Sequence, residues 1–226
     1  MDTLPQQIAD LPIDSLELLK GIPSEKHRAV LRCLDARLSH FDKGDLLADR
    51  DSTPTCTRYL TSGAALILRY DIEGNRSILG SYRNGSVIES DMSPQFRQAN
   101  GLDIVATEPC TTFDFSISQK IEGCACCIKY INLIKGNLVQ SLADTNLGFL
   151  KRLDTLAHRS TREKVLAFLR EQSHEAGTRT FSIPYNRQEL ADYLYIERSA
   201  LSRELGSMRH EGMISFERNV FCLTDD

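Results

Sequence analysis

The chain has 226 residues, 41% of them hydrophobic and 26% charged, with a formal net charge of −4 at pH 7. That is enough apolar material for one large or two modest cores, and too little positive charge for a polycation that coats nucleic acid or anionic membrane indiscriminately. The longest apolar run, Ala64 to Leu68, is far too short to span a bilayer, and the acidic, proline-containing N-terminal stretch lacks the basic and apolar regions of a signal peptide. A cytoplasmic protein with no membrane partner is expected. Its seven cysteines, an odd number, then read as thiols or ligands rather than structural disulfides.

Residues 14 to 38 read as short helices, with Leu16, Leu18, Leu19, Val30, Leu31, Leu34 and Leu38 as apolar positions. The texture changes at Phe41. From there to Phe115 the chain is cut by Asp42-Lys43-Gly44, Ser62-Gly63, Glu73-Gly74-Asn75, Asn84-Gly85 and Asn100-Gly101, turn signals between short runs such as AALILRY, RSILGSY, IVATE and TTFDF. Strands punctuated in this way argue for a jelly-roll or barrel-like β domain.

A helical pattern follows from about Ser118 to Leu153. Cys124, Cys127, Ile131, Ile134, Leu138, Leu142, Thr145 and Phe149 step by three or four and form one mainly apolar stripe, with Leu147, Leu150 and Leu153 as a shorter one. A helix of this length exceeds what a small β domain can cover, so one stripe is expected to pack on its twin in a short parallel, coiled-coil-like dimer interface. Ser160 with Glu163 then opens a capped helix, STREKVLAFLREQ, placing a hinge near Ala157 to Arg159.

The segment Asn186 to Ile214 carries the functional signal. Leu190, Ala191 and Leu194 share a face of a first helix whose start has capping-box spacing, Asn186 to Glu189. Tyr195-Ile196 make the corner. A second helix buries Leu201, Leu205 and Met208, while Arg198, Ser199, Ser202, Arg203, Arg209 and His210 take the other side. Such a face suits a major groove, because arginine can donate two parallel hydrogen bonds to guanine O6 and N7 and serine can reach base edges or phosphates. After Met213, ISFERNVFCL alternates around Glu217-Arg218-Asn219 as a small hairpin. Residues 158 to 226 hold ten Lys/Arg and eleven Asp/Glu, so attraction to phosphate must come from local clustering.

From RQELADYL through RSALSREL to MRHEGMI, this segment resembles the winged-helix domain of the Crp/Fnr family of bacterial transcription regulators. The likeness continues through KGD at Lys43, LTSGAALILRYDIEGNRSILGSYRNGS and VATEPCTTFDF, which look like that family's effector domain. The resemblance implies an α+β chain with an N-terminal cyclic-nucleotide-binding-like β jelly roll, a long dimerisation helix and a C-terminal winged helix-turn-helix. The expected divisions are 1–117, 118–156 and 157–226. It further implies a homodimer reading a roughly palindromic double-stranded operator, with two recognition helices meeting major grooves about 34 Å apart. RNA polymerase is the expected further partner of an activator, and a small-molecule effector the expected signal.

Arg198 and Arg203 match the family's recognition-helix arginines, whereas Ser199 stands where a glutamate is common. Tyr195 replaces the glycine that many such corners use to reach positive φ. Arg198, Ser199, Ser202 and Arg203 are the expected base-edge or adjacent phosphate contacts; Arg209, His210 and Arg218 are expected at the backbone. In the effector domain, Glu89 and Arg97 are candidates for the family's ribose and phosphate ligands. Their setting is altered, because Arg97 is followed by Gln98 and not by a hydroxyl residue that would help satisfy a desolvated cyclic phosphate.

Cysteine spacing supplies an alternative sensor. Cys124, Cys126 and Cys127, with Cys110 on the last expected strand, could converge on an iron–sulfur cluster or zinc. On a regular helix Cys126 would point about 100° away from Cys127, so three ligands need an unwound first turn. Cys33 stands alone in the region where the Fnr branch has its N-terminal cysteines. His27 and His40 are further axial ligands if the cofactor is haem. A small-molecule-binding barrel or cupin-type enzyme is the alternative of another class, but no histidine lies between residues 41 and 157 to build a cupin metal site.

Overall fold

The computed structural model describes residues 13, 16–48, 56–74, 76–89, 102–117 and 125–224. Two compact units divide it: Met1–Gly74 with Leu79–Asn146, and Asn75–Ile78 with Leu147–Asp226. Asn100-Gly101, Arg97, Cys124 and the expected helix start at Ser118 lie outside the described residues.

The first unit opens with a 3-10 turn, Glu17–Leu19, and helix α1, Ser24–Cys33. Strands β1 (Arg37–Phe41), β2 (Leu46–Ala48), β3 (Thr57–Ser62), β4 (Ala64–Tyr70), β5 (Arg76–Arg83, whose first residues to Ile78 belong to the second unit), β6 (Val87–Glu89), β7 (Leu102–Ala106) and β8 (Cys110–Phe115) follow. They form two four-stranded sheets in the orders β1-β8-β3-β6 and β2-β7-β4-β5. Strand β8 explains how one sheet serves two cores. Its side chains alternate, so Cys110 joins Leu47, Leu60, Ala65, Ile88 and Ile104 in one cluster, while Phe113 and Phe115 join Leu31, Leu34 and Tyr59 in the other. On the Cys110 side, Asp114 accepts from Arg58 Nη2 at 2.8 Å, Arg58 Nε at 2.9 Å, Ser39 Oγ at 2.8 Å and Thr112 Oγ1 at 2.9 Å. That carboxylate is thereby satisfied in a largely buried setting.

Helix α2, Ala125–Ala157, is 33 residues long. Its inward side takes three members of the longer apolar stripe expected from the sequence. Ile131, Ile134 and Leu138 are buried in their own unit's core, each stabilising it by about 1.5–3 kcal/mol relative to exposure. Ile128, Val139, Leu142, Leu147, Leu150 and Leu153 remain exposed. Periodicity alone could not separate these lines, because each steps by three and four.

The second unit contains α3 (Thr161–Ala176), β9 (Thr180–Ser182), α4 (Arg187–Leu194), α5 (Arg198–His210), β10 (Ile214–Glu217) and β11 (Val220–Leu223). The strands form a sheet in the order β10-β11-β9. Val165, Phe168 and Leu169 of α3, Leu190, Ala191 and Leu194 of α4, and Leu201, Leu205 and Met208 of α5 are buried, as are Phe181, Tyr185 and Phe221. Tyr185 stacks on Tyr193 with ring centroids 4.9 Å apart, and Phe168 lies 5.5 Å from Tyr193. Such pairs add about 0.5–1.5 kcal/mol each beyond area burial.

Candidate nucleic-acid interface

Local chemistry fixes where α4 begins and ends. Asn186 Oδ1 accepts from Gln188 N–H at 2.9 Å and Glu189 N–H at 3.0 Å, and Glu189 Oε2 accepts from Asn186 N–H at 2.8 Å. This capping box satisfies donors that the first turn leaves open. At the other end Tyr195 adopts φ 52°, ψ 53°, the left-handed conformation that favours glycine, and the residue is 47% exposed. The chain then turns into α5, whose N-cap Glu197 makes no side-chain capping bond.

Helix α5 divides sharply. Leu201, Leu205 and Met208 are at most 1% exposed, while Arg198, Ser199, Ser202, Arg203, Arg209 and His210 are all exposed. At about 100° per residue these six fall within an arc of roughly 140°. Glu204 on the same helix and Glu211 at its C-cap are paired away from that arc. Arg162 Nη1 lies 3.4 Å from Glu204 and 3.0 Å from Glu211, and Arg162 Nη2 also pairs with Glu211. This pairing, with a bond from Ser207, holds the Glu211 carboxyl below its ordinary range. The near-neutral charge of the domain therefore conceals local separation: Glu204 and Glu211 are answered by Arg162, and Arg198 and Arg203 are left facing solvent without ion pairs among the described residues.

The hairpin β10–β11 adds Arg218 at its tip, exposed and at φ 50°. Its carbonyl accepts from Arg187 Nη2 at 2.8 Å. Arg187 packs its guanidinium 4.9 Å from the ring centroids of both Phe216 and Phe221, and Arg209 lies 5.0 Å from Phe216. Burial lowers the Arg187 pKa, yet guanidinium stays charged at neutral pH. Sequence reasoning missed Arg187. Its position as the first residue of α4 was readable, but its aromatic seat lies about thirty residues away in the chain.

The remaining candidates fall elsewhere. Cys110 is buried; its thiol donates weakly to Ala64 O at 3.3 Å and Glu108 O at 3.2 Å, and burial raises its pKa. Cys126 and Cys127 lie on α2, but their side chains, like that of Glu89 on β6, are outside the described residues, as are Cys124 and Arg97. Among the described residues no group of three His, Cys, Asp or Glu side chains could hold a metal ion. His27 is buried with a ring nitrogen 2.8 Å from Ile22 O, and His40 Nδ1 lies 3.2 Å from Thr111 Oγ1. No helix among the described residues is long and apolar enough to cross a membrane.

Comparison with known proteins agrees with this geometry. Residues 163–225 match the model of the Crp-like helix-turn-helix domain. Among solved structures, a CooA variant from Carboxydothermus hydrogenoformans superposes with a TM-score of 0.71 at 18% identity, covering 93% of each chain. The c-di-GMP-responsive global regulator CLP of Xanthomonas campestris gives 0.69 at 14% identity, covering 88% of this chain and 100% of its own. FixK2 from Bradyrhizobium japonicum gives 0.61 at 16% identity, covering 84% and 93%. No curated protein matches the chain by sequence.

Proposed function

We propose that this chain, whose residues 163–225 match the Crp-like helix-turn-helix domain and whose fold is an N-terminal β-sandwich of the cyclic-nucleotide-binding type followed by a winged helix-turn-helix, is a DNA-binding transcription regulator of the Crp/Fnr family and acts as a homodimer on a roughly palindromic duplex. On this reading the chain is a regulator and not an enzyme, and the helix-turn-helix match favours it over the cupin-type alternative. In the proposed complex Arg198, Ser199, Ser202 and Arg203 enter the major groove, while Arg209, Arg218 and His210 contact the sugar-phosphate backbone. The observation that carries this reading is the α5 surface, where arginines and serines stand exposed over a fully buried Leu201-Leu205-Met208 face. Phosphate contacts position such a helix and base-edge contacts give it sequence preference.

Dimerisation is supported by the outward face of α2. Ile128, Asn132, Lys135, Val139, Leu142, Asn146, Phe149 and Leu153 follow an unbroken four-three spacing. Of the apolar members, Ile128 is 53%, Val139 63%, Leu142 44% and Leu153 59% exposed, which leaves a seam for a second copy. With Asn132, Val139, Asn146 and Leu153 at the a positions, the polar residues act as register devices. A buried asparagine at such a position lowers stability but discriminates against other oligomers.

The N-terminal unit is then the sensor of a small-molecule or redox signal that changes the relative affinity for two dimer states, and RNA polymerase is the partner if the protein activates. The setting of the reading is cytoplasmic. The experiment is selection of duplexes from a randomised pool, followed by salt titration of the enriched duplex and a random one. Enrichment of a two-fold-symmetric site, with a steep salt slope on both duplexes, is the expected result. Failure to enrich any sequence would remove base reading. Anaerobic purification with metal and sulfide analysis separates an organic effector from a cysteine-bound cluster.

A further inference from the structure

One buried cation outside the recognition surface contacts the corner from which that surface is presented. Arg152, on the last part of α2, is 7% exposed. Its Nη2 donates to Tyr193 O at 2.9 Å and to Ile78 O at 2.6 Å. The guanidinium lies 4.6 Å from the Tyr193 ring centroid and 5.6 Å from that of Tyr195. Tyr193 precedes the end of α4, where carbonyls lack helical partners, and Tyr195 is the left-handed residue that ends the helix. The Ala191 carbonyl is already taken by Ile196 N–H at 3.1 Å. Arg152 thus serves the neighbouring Tyr193 carbonyl and places both aromatic side chains of the corner around one planar cation.

We propose that Arg152 is a positioning residue for DNA reading: by seating Tyr193 and Tyr195 it sets the direction in which α5 leaves the corner, and with it the pose of Arg198 and Arg203. This rests on the DNA-reading function above. The physical reason for arginine is its shape. A planar guanidinium can donate in its own plane while its faces meet aromatic rings, whereas an ammonium offers a hydrated point charge with no flat face. Arg152 touches no base or phosphate in the proposed complex. It belongs to the long helix, so a shift of that helix cannot leave the corner unchanged without breaking the cation's bonds.

The test uses the full-length protein, the duplex that wild type enriches from a randomised pool, and a random-sequence duplex of equal length. Arg152→Lys keeps the charge and removes the planar fork. Tyr195→Gly removes the exposed ring while suiting the left-handed backbone, so it should fold at least as readily. Each variant is expected to lose tenfold or more of its affinity for the enriched duplex, with random-duplex affinity, salt slope and unfolding midpoint close to wild type. Unchanged preference in a folded Arg152→Lys, or equal losses on both duplexes, would overturn the proposal. If Arg152→Lys does not fold, Tyr195→Gly decides: lost preference supports the role and retained preference ends it. Wild type that enriches nothing would defeat the DNA-reading function and this proposal together, whereas enrichment by wild type with unaltered variant preferences defeats this proposal alone.

Discussion

Ser160 and Glu163 cap one another at the start of α3: Glu163 N–H donates to Ser160 Oγ at 3.1 Å, and Ser160 N–H donates to a Glu163 carboxylate oxygen at 3.1 Å. The Ser160 backbone bond, followed by its hydroxyl, holds the Glu163 pKa below the ordinary value of about 4.3. Glu211 is depressed by Arg162 and then Ser207. Because both folded-state values lie below the unfolded ones, their stabilisation is complete above the ordinary carboxylate range and is lost as pH falls through the depressed values. Calorimetric midpoints should therefore fall on the acid side, and Glu163→Gln should flatten that limb; superimposable acid limbs would refute the assignment. Ser160→Ala should lower stability at neutral pH by about 1 kcal/mol.

The arginines of the second unit should separate by the kind of contact they make. Arg203→Ala is expected to cost about 1–3 kcal/mol on the enriched duplex and much less on a random one. Arg218→Ala, at the hairpin tip, should weaken both about equally and reduce the logarithmic salt slope by about one. Fluorescence anisotropy across a salt series measures both, and equal losses for Arg203→Ala would reassign it to phosphate.

Along α2, replacement of the most exposed apolar seam residue, Val139→Glu, should shift sedimentation to the monomer without unfolding the sandwich, since Val139 is 63% exposed while Ile134 and Leu138 carry the inward packing. Asn146→Leu should tighten association and admit species larger than a dimer. A Val139→Glu protein that remains dimeric would place the interface elsewhere.

Gly63 sits at φ +92° between β3 and β4, and a Cβ there would lie 2.5 Å from Pro109 O and 2.7 Å from Cys110 Sγ. Gly63→Ala must adopt a strained backbone and displace another strand's start, so a loss of roughly 2–4 kcal/mol is expected in urea denaturation. The neighbouring thiol, buried and with a raised pKa, should resist alkylation until the protein unfolds. Rapid labelling of native Cys110 would show that this packing is not maintained in solution.

What could be read from the sequence was what is decided within a few residues. The Asn186–Glu189 and Ser160–Glu163 caps, the turn glycines, the buried line of α5 and the wing hairpin all arise from backbone demands answered nearby in the chain. Tyr195 was recognisable as standing where glycine is common, and the fold accommodates it with a left-handed corner. Side choice on α2 was not readable, because its apolar lines share one period and only packing reveals that Ile131, Ile134 and Leu138 face their own core.

The longer-range partners were equally silent. Arg58 meets Asp114 across 56 residues, Arg187 reaches the carbonyl of Arg218 across 31, and Arg152 reaches Tyr193 across 41. An arginine in a sequence shows its charge but not which distant carbonyl or ring will face it. The amino-acid order by itself determined the helices, turns and arginine-bearing surface of a Crp-like helix-turn-helix domain, through short-range hydrogen bonding and hydrophobic period. Tertiary packing alone decided which face of the long helix stayed uncovered and which cation came to rest at the helix-turn-helix corner, because both depend on contacts between segments far apart along the chain.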